Sequence, residues 1–276
     1  MKAQLQAAFA TARLPARGLA LYSVRSEATR DQDATLARAA ALGFQEIEMR
    51  AVAPEVARQH RALLDRHGLR CPSIVAGPDV PPAAQIESTR ILGAGWLAVP
   101  ALPVYFNVTG GRFAWRPRIE PADFAPMPKM LNDLARGCAG AGVRLAYHMH
   151  DNDFVPLSDG FSPFDRLARE VDPKLMDFEL DLGHLHAARP DLPAPLMRLR
   201  GRVPLVHLKD FVPGRSNEPK GAAMDDVGAG AIDFDALLPT LRVLGKGHFF
   251  IELEAATAQW DGVQRSSDWL ATRGFF

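Results

Sequence analysis

A single (β/α)8 TIM barrel is the fold this sequence predicts, and three observations predict it. Short apolar runs alternate with longer stretches of helical spacing, the runs number eight, and the 276 residues match the length of one barrel. The first four runs are Gly18 to Val24, Phe44 to Met49, Ser73 to Ala76 and Trp96 to Ala101. The last four are Arg144 to His148, Met176 to Leu182, Leu205 to Leu208 and Phe249 to Leu253. Between them lie Asp31 to Leu42, Pro54 to His67, Pro82 to Leu92, Pro126 to Ala141, Pro163 to Val171, Pro193 to Leu199 and Asp233 to Leu244. Their apolar residues recur three or four apart, the period of an amphipathic helix. Several begin with proline, whose fixed φ and missing N–H suit a first helical turn. Gly43, Gly68, Gly142 and Gly245 stand where a helix end calls for a left-handed residue.

Strands alternating with helices form a parallel sheet, and at this length a closed barrel fits better than an open one. An open doubly wound sheet would carry G-x-G-x-x-G after its first strand, and none is present. Gly228-Ala229-Gly230 reads as a turn before the helix near Asp233. The expectation is one domain over 1–276, with 1–17 as an N-terminal extension. Two long connections, Pro103 to Ala125 and Phe211 to Gly230, follow strands and so belong to the C-terminal face, as lids or binding loops.

Composition narrows the function classes. Hydrophobic residues make up 47% and charged residues 23%, enough apolar material for a large core. Lys plus Arg and Asp plus Glu are 32 each, so no net field draws the chain to nucleic acid or to an anionic membrane. Cys71 and Cys138 form no C-x-x-C pair, and no run approaches the roughly 20 apolar residues of a membrane span. The N-terminal segment lacks the apolar stretch of a secretory signal, so the expectation is a cytoplasmic enzyme.

The polar residues that need explaining sit at the ends of the last four strands: Tyr147-His148-Met149-His150-Asp151, Glu179-Leu180-Asp181-Leu182-Gly183-His184, His207-Leu208-Lys209-Asp210 and Glu252-Leu253-Glu254. Side chains of a barrel strand alternate between interior and helix layer, so a strand-end carboxylate or imidazole can point into the mouth. His148, Asp181, His207 and Glu252 stand on four consecutive strands. Uncompensated buried charge is costly, and a divalent cation compensates two carboxylates and two imidazoles. Mixed nitrogen and oxygen donors suit manganese, zinc, iron, cobalt or nickel better than calcium.

These motifs, in this order, resemble the xylose-isomerase-like TIM barrels of the sugar phosphate isomerase/epimerase superfamily. Leu19-Ala20-Leu21-Tyr22-Ser23-Val24-Arg25 resembles the family's first strand and Gly43-Phe44-Gln45-Glu46-Ile47-Glu48 its second. Tyr147-His148-Met149-His150-Asp151 is similar to the Y-H-N-H-D motif of one bacterial subgroup. The resemblance implies one divalent metal ion (Mn, Zn, Fe, Co or Mg) on His148, Asp181, His207 and Glu252, and a keto-sugar or keto-glycoside as the substrate; the sequence shows no clear phosphate cradle, so an unphosphorylated sugar is expected. It implies sugar isomerase or epimerase activity by removal of an α-proton, with Glu252 as the base and His184, His150 and Lys209 as further catalytic groups. Glu48, Trp115 and Phe211 are the candidate substrate contacts. Homo-oligomers are common among such proteins.

The chain departs from the pattern. Ketose epimerases place Glu where His148 stands, and Ala20 and Met149 replace polar residues expected at the pocket. A symmetric pair of carboxylates is therefore not available. Two further readings follow: a non-catalytic sugar-binding or accessory barrel, or a metal-dependent keto-glycoside lyase. The related DNA-repair endonucleases would need histidines on the early strands, which are absent here.

Overall fold

The computed structural model describes residues 14–109, 112–116, 119–188, 199, 201–212, 224–244, 247–254 and 260–276. Twelve strands are seen among them, in chain order β1 (Arg17–Ala20), β2 (Glu46–Arg50), β3 (Ser73–Val75), β4 (Trp96–Val99), β5 (Phe106–Thr109), β6 (Arg112–Trp115), β7 (Arg144–His148), β8 (Met176–Asp181), β9 (Leu205–Leu208), β10 (Asp210–Phe211), β11 (Met224–Asp225) and β12 (His248–Ile251). Eight close a barrel in the order β1-β12-β9-β8-β7-β4-β3-β2. Every pairing in it is parallel, and Leu19↔Ile251 joins the first strand to the last.

Each predicted strand is present, Arg144–His148 and Leu205–Leu208 with the predicted bounds and the others with shifted ends. The first stops at Ala20, and Leu21–Val24 turn as a 3-10 helix with Ser23 Oγ accepting the Leu253 N–H at 3.0 Å. Leu21 and Val24 are as buried as the strand, so apolar character could not mark where it ends. The first strand also begins at Arg17, inside the expected extension.

The predicted helices appear as Gln32–Ala41, Pro54–Arg66, Pro82–Ile91, Met127–Gly140, Pro163–Glu170 and Phe234–Leu244. Asp31 caps the first through Ala34 N–H, and Ser162 with Asp165 forms a capping box on the fifth. Gly43, Gly68 and Gly142 follow helix ends at φ of +82°, +66° and +75°. The expected helix Pro193 to Leu199 and Gly245 lie outside the described residues.

Helices Arg25–Arg30, Pro121–Phe124, Leu182–Ala188 and Trp260–Thr272 were not predicted, nor was the β5–β6 hairpin. Arg25–Arg30 buries no residue and carries no apolar stripe to read. Trp260–Thr272 does carry one, in Trp260, Val263 and Leu270, and it supplies the helix after the last barrel strand.

Alternation along the strands divides the core. Leu19, Ile47, Leu97, Leu145, Leu180 and Leu208 pack outward beneath the helices. Ala20, Ala98, Ala146, Leu205 and Phe250 form a separate apolar plug. Alanines on three strands leave room for the Phe250 ring. At the N-terminal end of the barrel, Asp177 accepts from Arg144 at 2.6 and 2.8 Å and from Trp96 at 3.0 Å. Glu46 there accepts from Arg70 at 3.0 Å, with His248 at 2.7 Å. At the opposite end the strand ends carry a different polar layer.

Candidate metal centre and active site

Two strands aim their polar side chains inward at every second residue. On β2 these are Glu46, Glu48 and Arg50, and on β8 Asp177, Glu179 and Asp181. The first of each set serves the N-terminal end just described. The second and third reach the middle and the mouth of the barrel, where β7 brings His148 and β9 His207.

His148, Asp181 and His207 offer donor atoms within 4.8 Å of one another, and all three are buried. Asp181 Oδ2 is 3.9 Å from His148 Nε2 and 3.9 Å from His207 Nδ1. That is too long for hydrogen bonds and within the span of two ligands each about 2.1 Å from a shared ion. Glu252 Oε2 lies 2.8 Å from the same His207 Nδ1. The far sides of both imidazoles are braced by carboxylates: His148 Nδ1 by Glu179 at 3.0 Å and His207 Nε2 by Glu48 at 2.6 Å. Imidazole ligands are typically held in this way, with one nitrogen fixed by a carboxylate so that the other faces the ion. Asp181 Oδ2 is buried and meets Lys209 Nζ as an ion pair at 2.7 Å. This set of imidazole and carboxylate donors fits a divalent ion.

Lys209 lies among the strand-end carboxylates. Its ammonium is fully buried and lies 2.7 Å from each of Asp181, Glu252 and Glu254. Gly183 gives the stem room, since a Cβ there would fall 2.9 Å from Lys209 Cγ. Burial alone would raise the Glu252 carboxyl, but Lys209 and then His207 hold it well below the usual carboxylate range. Asp181 is likewise pushed up by burial and held below its ordinary value by Lys209 and His184. Burial also raises Glu48, here assisted by the Glu179 carboxylate beside it, to about 8.

Four imidazoles run in a row, with 4.7 Å between ring centres from His207 to His148, from His148 to His150 and from His150 to His184. Asp153 fixes the turn after β7: it accepts the His150 N–H at 2.8 Å and the hydroxyls of Tyr105 at 2.5 Å and Tyr147 at 2.9 Å. A cavity of about 1080 Å³ opens on Glu48, His148, His150, His207, Glu252 and Glu254. His184 and Lys209 are not among its lining residues. Ala20 lines it as expected, whereas Met149 is buried on the other face of its strand, against the core. Trp115 ends β6 and Phe211 ends β10, and their side chains lie outside the described residues.

Glu179 is the site residue that sequence reasoning missed. It stands two residues before Asp181 on one strand, so the same alternation that turned Asp181 inward places Glu179 one layer deeper. Substituting Glu179→Gln is expected to weaken divalent-metal affinity about 10- to 100-fold, the usual effect of removing such a brace. Titration of metal-free wild type and variant with manganese or zinc by calorimetry measures it, and equal affinities would contradict the bracing role.

His184 gives a pH-dependent prediction. Burial would lower its pKa, but the Asp181 charge and hydrogen bonds with Asp151 and Glu254 raise it to about 9. Its contribution to the metal-free fold, about 3 kcal/mol, is full below the unfolded value of 6.5 and is lost as pH rises through about 9. Melting curves of metal-free wild type should fall over that window, while those of His184→Gln change less.

The family follows from the whole chain. The model of the xylose isomerase-like TIM barrel family matches residues 36–273, and this chain belongs to that family. Among curated relatives, an inosose dehydratase of Geobacillus kaustophilus is 25% identical over 193 residues, covering 65% of this chain and 62% of that protein. The chain thus spans less than two thirds of the curated relatives it matches. Among solved structures, a sugar phosphate isomerase/epimerase from Parabacteroides distasonis superposes with a TM-score of 0.77 at 19% identity, covering 96% of this chain and 98% of that one. The zinc-bound IolI protein superposes with a TM-score of 0.73 at 16% identity, over 95% and 99%. No helix among the described residues is long and apolar enough to cross a membrane.

Proposed function

We propose that this protein is a divalent-metal-dependent enzyme that removes the proton α to the carbonyl of a keto-sugar or keto-polyol. The observation that carries this reading is the meeting of His148 Nε2, Asp181 Oδ2 and His207 Nδ1 beside Glu252, on a cavity large enough for a sugar. The ion would be held by those four residues and would polarise a ligated carbonyl and offset charge on its oxygen. Glu252 lines the cavity beside these ligands and is the base. Lys209 positions Glu252 and Asp181 from behind rather than meeting the substrate. His184 supports Glu254, at 3.3 Å, in the same way.

Two outcomes share this first step. Returning the proton gives an epimer or isomer. Alternatively the electrons of the broken C–H bond form a C=C bond while the β-hydroxyl leaves as water, carrying a proton from His150. The second is favoured because His148 stands where ketose epimerases place one of their two acid-base glutamates, so the symmetric pair of carboxylates that proton exchange uses is absent. The inosose dehydratases among the relatives support it as well.

Metal-loaded protein incubated with inosose and with ketohexoses in deuterium oxide tests both. Solvent deuterium at the α-carbon of recovered substrate or its epimer supports exchange, and an unsaturated dehydrated product supports elimination. Neither deuterium nor product would leave the accessory, sugar-binding reading.

A further inference from the structure

Two guanidinium groups face the cavity without a carboxylate. Arg50 stands at the C-terminal end of β2, two residues after Glu48 and on the same face, so it overhangs the mouth. It is exposed and makes no hydrogen bond or ion pair among the described residues. Arg25 follows the turn after β1, the strand paired with β2 through Ala20↔Glu48. Its Nη1 donates to Tyr22 O at 2.9 Å and its Nη2 to Glu254 O at 3.4 Å, and its guanidinium lies over the Tyr22 ring at 4.2 Å. Those bonds go to neutral carbonyls and leave its charge uncancelled.

The acids lining the same cavity face other groups than these arginines. Glu48 faces His207, Glu252 faces His207 and Lys209, and Glu254 faces Lys209 and His184. Neither Arg25 nor Arg50 is paired with a carboxylate among the described residues, so their guanidinium charges stay open to an anion in the cavity. The wall under Arg50 is also shaped for it. A Cβ at Gly77 would lie 3.4 Å from Arg50 Nη2, and Gln85 fixes the Gly77 backbone by accepting from its N–H at 3.1 Å and donating to its carbonyl at 2.9 Å.

We infer that Arg50, with Arg25, forms an anion subsite at the mouth of the cavity, and that the substrate is a ketose bearing a terminal carboxylate or phosphate. The inference rests on the proposed reaction for the other end of that substrate. A planar fork of N–H donors matches either anion, and a charge-assisted pair of bonds gives selectivity over a neutral hydroxymethyl group. This differs from the unphosphorylated sugar expected from the lack of a phosphate cradle in the sequence.

Calorimetric titration of the metal-loaded protein with D-fructose, D-fructuronate and D-fructose 6-phosphate tests it. One of the two charged ketoses is expected to bind at least about tenfold more tightly than D-fructose, and Arg50→Gln is expected to remove most of that preference. Which of the two binds more tightly distinguishes carboxylate from phosphate. Equal affinities, no binding by any of the three, or a preference that survives Arg50→Gln would overturn the inference. Binding is read without turnover. Failure of the proton-abstraction reading would therefore appear as anion-selective binding with no solvent deuterium in the recovered ketose, and failure of the subsite as exchange indifferent to charge.

Discussion

Replacing Lys209 with Met is expected to destabilise the metal-free protein by about 3–5 kcal/mol, the cost of leaving buried carboxylates without their countercharge. Asp181, Glu252 and Glu254 each lie 2.7 Å from the ammonium, and Lys209 itself is 0% exposed. Methionine fills much of the stem's volume, so the loss reflects charge more than a cavity. For a domain of this size such a loss lowers the melting temperature by roughly 6–20 °C. Manganese or zinc should restore part of the loss in the variant, because a divalent ion supplies positive charge to the same Asp181 and Glu252. An unchanged melting temperature would mean that the three carboxylates do not depend on the lysine.

Glu252→Gln is expected to slow α-proton exchange by about 10²- to 10⁴-fold, the range for loss of a general base. The variant keeps the shape of the side chain and an oxygen facing Lys209, so the fold should survive with a modest change in melting temperature. Exchange at the wild-type rate in metal-loaded Glu252→Gln would assign the base elsewhere, with His150 the next group on the cavity wall.

The barrel was legible because two periods, of about two and 3.6 residues, alternate along the chain, and because the proline and glycine signals stand at helix ends. Strand ends were less legible. Leu21 and Val24 are buried in a turn just as they would be in a strand. Of the four expected metal-ligand positions, three converge as a cluster, and Glu252 lies 2.8 Å from His207. What the sequence concealed is depth. Lys209 was expected at the substrate, yet it lies behind the carboxylates, because position 209 follows the end of β9 and its long stem folds inward over Gly183. Likewise Arg50 carries no motif. Its importance appears only when the cavity's acids are seen to face other groups than this arginine.

The most direct test of the account is metal content by elemental mass spectrometry, on protein purified without nickel-affinity steps, for wild type, Asp181→Ala and His207→Ala. The account predicts about one divalent transition metal per wild-type chain and almost none in either variant. Wild-type protein that takes up no manganese, zinc, cobalt or iron, or variants that bind as much as wild type, would contradict it.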